Sequence, residues 1–218
     1  MMLSRAVPVI LLAVCAALSG CGATNDLSKP PTPFGEFQLG YDIVIADKAE
    51  PVGPSRKATP EEWEAAMKTA VDARFRRYDG NKLYHLGIAV NAYALAVPGI
   101  PILISPKSVV VVSVDVWDDT AQRIINAETR QFTVFEGLSG STVIGSGLTK
   151  TREQQMQTLS ENAARQINDW LVTNKVWFTP EAAAARAALP PVPAAAAGGA
   201  KPATPPPPVP PAPVAPAN

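Results

Sequence analysis

The residue types best suited to chemistry cluster in the second half of the chain. Gly137-Leu138-Ser139-Gly140-Ser141 follows the spacing of a nucleophile elbow, where a serine sits on a tight turn with its hydroxyl exposed. Such a serine needs a base to take its proton, and His85 is the one histidine available. Two departures count against the pairing. The fifth position is Ser141 rather than glycine, and His85 alternates within a predicted strand, where a lone histidine is ordinarily a surface or hydrogen-bonded residue. A hydrolase built on Ser139 and His85 is therefore the second functional reading. The overlapping stretch from Gly140 through Gly145, Ser146 and Gly147 imitates a phosphate loop. However, Ser146 stands where a lysine would hold the phosphates, so the stretch reads as a strand-to-helix turn. Asp115, Asp118 and Asp119 would attract a cation, but they lack the spacing of a calcium loop, and Asp118-Asp119 suits a hairpin turn. None of these patterns implies a cofactor or a metal.

A different chemistry marks the N-terminus. Arg5 is followed by an almost wholly apolar run, Ala6 to Leu18, which is too short to span a bilayer at roughly 20 residues per crossing. The run ends in Leu18-Ser19-Gly20-Cys21. This sequence resembles the lipobox of bacterial lipoproteins, in which small residues admit the backbone to a peptidase and the cysteine sulfur accepts a diacylglycerol. The resemblance implies a signal peptide over residues 1–20, cleavage before Cys21, and a membrane partner reached through lipid on Cys21. Gly22, where many inner-membrane lipoproteins carry aspartate, implies the outer membrane with the domain facing the periplasm. Cys15 would leave with the signal. The remaining thiol, on Cys21, would be acylated, so neither a disulfide nor a thiolate metal site is expected.

Composition divides the rest. Residues 21–33 carry Pro30, Pro31 and Pro33 and read as a linker, which extended would reach about 40 Å at roughly 3.3–3.6 Å per residue. Residues 34–178 form one domain long enough for a real core. Thr179-Pro180-Glu181 followed by alanines predicts a short helix within 179–189. Residues 190–218 are mostly proline and alanine, with Pro205 to Pro208 consecutive, and predict a disordered or extended, polyproline-like tail. The 19 basic and 19 acidic residues balance, and removal of Arg5 leaves about −1, so nucleic acid is not an expected partner.

Two helices must frame any site in the domain. Thr59-Pro60-Glu61-Glu62 is a capping box, and Trp63, Met67, Ala70, Val71, Phe75 and Tyr78 follow at helical spacing up to Asp79-Gly80-Asn81. Thr151 and Gln154 have the same capping spacing before Met156, Leu159, Ala163, Ile167, Trp170 and Leu171. Strands are predicted at Phe37 to Ile45, within Tyr84 to Val97, at Val109 to Trp117 and at Ile124 to Phe135, with a short addition at Thr142 to Ile144. The expected fold class is α+β: an antiparallel sheet of about four to five strands with two helices on one face. Ala92 to Ile104 stays open. Its prolines exclude a continuous strand, leaving either a buried crossing between strands or an apolar loop that meets a partner or lipid.

Anchor, linker, compact domain and tail together resemble, in layout, small α+β accessory lipoproteins of envelope machines. The resemblance implies a non-enzymatic binding or assembly module whose partner is an envelope protein or peptidoglycan.

Overall fold

The computed structural model describes residues 26–98, 108–136 and 150–190. In chain order the elements are a 3-10 turn (Asp26–Ser28), β1 (Phe37–Ile45), β2 (Glu50–Pro51), α1 (Pro60–Phe75), β3 (Lys82–Ala94), β4 (Val109–Asp118), β5 (Arg123–Ile124), β6 (Arg130–Phe135), α2 (Arg152–Thr173), a 3-10 turn (Lys175–Phe178) and α3 (Pro180–Ala187). The fold is α+β with one open, mixed sheet. Residues 1–20, Ser139, the glycine-rich loop, Thr142 to Ile144 and the tail beyond Pro190 lie outside the described residues, as do residues 99–107 of the apolar segment. The part of that segment that is described is the end of β3 and the chain after it. There Tyr93, Ala94, Leu95 and Ala96 are buried.

Both long helices begin where a threonine can satisfy their free amides. Thr59 Oγ1 accepts from the Glu62 amide while Glu62 returns a carboxylate oxygen to the Thr59 amide at 2.8 Å. Thr151 and Gln154 repeat the arrangement at the start of α2. A reciprocal cap of this kind stabilises a helix end by about 1 kcal/mol. α1 turns Trp63, Met67, Val71 and Phe75 inward, and α2 presents Met156, Leu159, Ala163, Ala164, Ile167 and Leu171. The adjacent alanines let α2 approach closely.

β3 and β4 are the centre of the sheet. They pair antiparallel, with Leu86 opposite Val116, Ile88 opposite Val114 and Val90 opposite Val112, all buried beneath the helices. β6 pairs antiparallel with β4 at one end and β5 at the other. β1 is different. It pairs with β3 in parallel, from Phe37 beside Lys82 to Ile45 beside Ala89, with a bulge between Leu39 and Asp42. β2 is also parallel to β3. The expected antiparallel pairing holds for β3 to β6, and the two parallel strands β1 and β2 make the sheet mixed. Alternation of apolar residues fixes which face is buried and carries no information about strand direction.

The base of the core is aromatic. Phe37 stacks on Tyr84 with centroids 5.6 Å apart, and Phe34, Phe75, Tyr78 and Phe178 close around them. Gly35 is required for this closure. Its φ is +88°, and a Cβ there would lie 2.4 Å from the Phe178 carbonyl oxygen, which accepts the Glu36 amide at 2.9 Å. Polar side chains fasten the periphery. Asp42 on β1 is buried against α1, where Lys68 Nζ lies 2.6 Å and Arg76 Nη2 3.3 Å from it. Arg186 ties α3 to the sheet, donating to Asp118 Oδ2 at 2.8 Å and to the Tyr84 hydroxyl at 3.2 Å. Burial, with Asp118 second, raises the Tyr84 phenol above its ordinary pKa.

Ile167 is completely buried between α2 and the sheet. Ile167→Ala should lower unfolding free energy by about 2–5 kcal/mol in a denaturant melt, against less than about 0.5 kcal/mol for the exposed Gln157→Ala. A loss below half a kilocalorie at Ile167 would show that this helix does not pack as described.

Candidate interaction face

The strand residues of opposite parity point away from the helices, and no described element covers them. Across the strands at one end they form a row: Tyr41 on β1, His85 on β3, Trp117 on β4 and Ile124 on β5. His85 pairs with Trp117 and Trp117 with Ile124 in the strand register, and the Tyr41 and His85 ring centroids are 5.1 Å apart. Leu83 flanks the row, and Ile43 and Ile45 continue the apolar surface along β1. Tyr41 is 71% exposed and Ile43 59%, so the β1 side of this face leaves large apolar side chains open to solvent. Asn91 and Ser113 meet at 2.7 Å in the middle of the face.

His85 is fixed at both ring nitrogens. Nδ1 accepts the backbone N–H of Tyr41 at 2.8 Å, so the proton of the neutral ring belongs on Nε2, which is 3.0 Å from Asp119 Oδ1. In a serine triad the carboxylate would hold Nδ1–H and leave Nε2 to take the serine proton. Here neither nitrogen is left for Ser139, which itself lies outside the described residues. The ring also explains Gly40. A Cβ at that position would lie 2.4 Å from His85 Nδ1. The imidazole therefore serves as a cross-strand plug that completes the β1 bulge.

The three aspartates are engaged separately. Asp115 accepts from Asn126 and Thr129, Asp118 from Arg186 and the Ala121 amide, and Asp119 meets His85. Asp119 opens the β4–β5 turn, which closes at Gln122 with φ of 51°. Among the described residues no group of three or more His, Cys, Asp or Glu side chains could hold a metal ion. No described helix is long and apolar enough to cross a membrane. Cys21 lies outside the described residues.

The far end of the sheet carries a second polar group that sequence reading missed. Glu136 is 2% exposed, and its carboxylate meets the Lys150 ammonium at 2.8 Å. Its amide donates to the Ser108 carbonyl, Ser108 Oγ accepts from Ala96, and Gln155 donates to the Ala96 carbonyl. Nothing in the spacing of these residues brings them together. The aromatic row was likewise missed, although Tyr41, Ile43 and Ile45 occupy alternate positions of β1 and signal a second apolar face.

Gly40→Ala should cost about 1–3 kcal/mol, because the new methyl displaces the His85 ring and leaves the Tyr41 amide without its acceptor. In a His85→Ala background the same substitution should cost under about 0.5 kcal/mol. Equal costs in both backgrounds would separate the glycine requirement from the histidine.

The sequence matches no protein-family model and no curated protein. Solved structures similar to this chain include a candidate lipoprotein from Caulobacter crescentus (15% identity, 64% of this chain and 93% of that chain, TM-score 0.35). Another is a Xanthomonas campestris protein of the DUF330 family (16% identity, 67% and 92%, TM-score 0.37). A third is a minor lipoprotein from Acinetobacter baumannii (15% identity, 66% and 96%, TM-score 0.33).

Proposed function

We propose that this chain is a lipid-anchored lipoprotein of the outer membrane, facing the periplasm, that works as a non-enzymatic binding or assembly module of the cell envelope. The anchor half of the reading rests on Leu18-Ser19-Gly20-Cys21 at the end of a short apolar run. The binding half is carried by one observation, the helix-free sheet face on which Tyr41, Ile43 and Ile45 are exposed beside the half-buried rings of His85 and Trp117. Enzymes concentrate unpaired polar groups in a cleft, whereas this face offers a broad, largely apolar surface whose histidine has both nitrogens engaged. An envelope protein or peptidoglycan is the partner class that such an address provides.

Cys21→Ser removes the acyl acceptor. A diacylglycerol anchor contributes about 0.8 kcal/mol per buried methylene, so the native chain should stay with washed membranes and the variant should be released or left unprocessed. Unchanged fractionation and unchanged gel mobility of the variant would overturn the anchor. The face is tested separately. Ile43→Asp alters an exposed side chain and should cost less than about 0.5 kcal/mol of stability. It should nonetheless abolish the partner bands recovered after crosslinking intact envelopes. Retention of every band would assign partner binding to another surface.

A further inference from the structure

The end of the domain where the chain enters carries a feature that neither the core nor the open sheet face uses. The 3-10 turn Lys175–Phe178 follows α2, and its tip is Val176, which is 63% exposed. Trp177 beside it is half-buried, edge-on to Trp170 at 5.4 Å and to Phe178 at 6.4 Å. The backbone of the tip is satisfied within the chain. The Val176 carbonyl accepts from the Thr179 amide at 3.4 Å and from the Thr179 hydroxyl at 3.3 Å, and the Trp177 amide donates to the Asn174 carbonyl at 2.9 Å. Taking the tip out of water therefore strands none of these polar groups.

We propose that Val176 and Trp177 seat this end of the domain in the interfacial layer of the membrane to which Cys21 is anchored. The inference rests on the lipid-anchor reading above, and tether length carries it. Much of the expected linker is held against the domain. Phe34 is buried against Tyr78 and Phe178, with ring centroids at 4.4 and 5.1 Å. Arg77 donates to the Lys29 carbonyl, and Leu27 and Pro31 are half-buried. The described chain begins at Asp26, five residues from Cys21. Five residues span at most about 17 Å whatever their path, less than half the reach of a free linker. Because the Phe34 ring touches both Tyr78 and Phe178, the start of the tether and the Val176 tip belong to the same end of the fold. The opposite end, at Tyr93 on β3, is about 30 Å from Tyr84 at roughly 3.3 Å per strand residue.

A lipid surface suits these side chains. Tryptophan favours the membrane–water boundary, where its ring meets acyl chains and its indole N–H meets headgroups. Lys175, next to Val176, can keep its ammonium in water while its stem lies along the apolar layer. Lys29, Arg77 and Lys175 share this end with Asp79, Asp169 and Glu181, so the attraction is apolar and needs no anionic headgroup. One valine and one tryptophan hold a free protein to a bilayer only weakly. The tether makes the contact intramolecular, so a weak affinity suffices. The domain then stands on the bilayer with its strands rising from it, and the open sheet face remains available to a partner.

The test uses the full chain, expressed with its own N-terminus in a bacterial host and reconstituted into phosphatidylcholine vesicles with brominated acyl chains. Val176→Cys and Val52→Cys each add one thiol for a fluorescent label. Val52 is a matched control, 57% exposed and hydrogen-bonded through its amide to Tyr93 at the opposite end. Brominated lipid should quench the label at position 176 at least twofold more than the label at position 52. With the label moved to Lys175→Cys, adding Val176→Asp should remove most of the quenching, and unchanged quenching there overturns the proposal. Equal or absent quenching at positions 176 and 52, in chains that float with the vesicles, overturns the proposal and leaves the lipid anchor standing. Chains that do not float overturn the anchor reading and this inference together. A label at position 176 that is shielded from aqueous iodide only as protein concentration rises assigns the tip to a second copy, and also overturns it.

Discussion

Because β1 runs parallel to β3, the chain between them must travel from one end of the sheet back to the other, and it does so as α1 on a single face. A parallel pair cannot be closed by a short hairpin. Once α1 covers that face, α2 finds its apolar partner there too, packing beside α1 and over β4 and β6. The second face is then left without a helix. The buried core and the exposed row are thus two consequences of one strand direction.

Among the described residues there is no cysteine, so no disulfide reinforces this one-sided core. The fold meets this with closely fitted aromatics at the base and with ion pairs that cross between elements: Asp42 with Lys68 and Arg76, and Asp118 with Arg186. Burying a charge is favourable only when its partner is equally well placed, so such pairs specify an arrangement more than they add to stability. Arg186 shows this. It lies in α3, a helix of small residues whose apolar surface alone would bind weakly. The two hydrogen bonds it donates, to Asp118 Oδ2 and to the Tyr84 hydroxyl, are what fix where α3 sits.

Much of the architecture was legible in local chemistry. Thr59 and Thr151 mark helix starts because an amide-capping hydroxyl is needed at that one position. Leu86 to Val90 and Val110 to Val116 mark strands because burial of one face imposes a period of two. The direction of β1 was not legible from alternation. It was implied by spacing, since strand, sixteen-residue helix, strand is the order a parallel pair requires. What local reading could not reach are meetings of distant residues: Glu136 with Lys150, Arg186 with Asp118, and His85 with Tyr41 across 44 positions. Each depends on register and on helix placement, which no single segment encodes. His85 is the instructive case. As a residue type it suggested a base, and only its two neighbours show it as a plug between strands.

The outer edge of β1 and β2 bears on how the open face can be used. An exposed edge invites another strand to add to it through backbone hydrogen bonds. Here the Tyr41 amide is held by His85 in a bulge, the Ala46 amide donates to Glu64 Oε1 at 3.1 Å, and β2 ends in Pro51, which has no amide proton. Strand addition is obstructed at three points along one edge. On the face beside it the His85 ring packs on the backbone of β1, while the Tyr41 side chain is exposed. What β1 leaves open on this side of the molecule is the apolar side chains of Tyr41, Ile43 and Ile45.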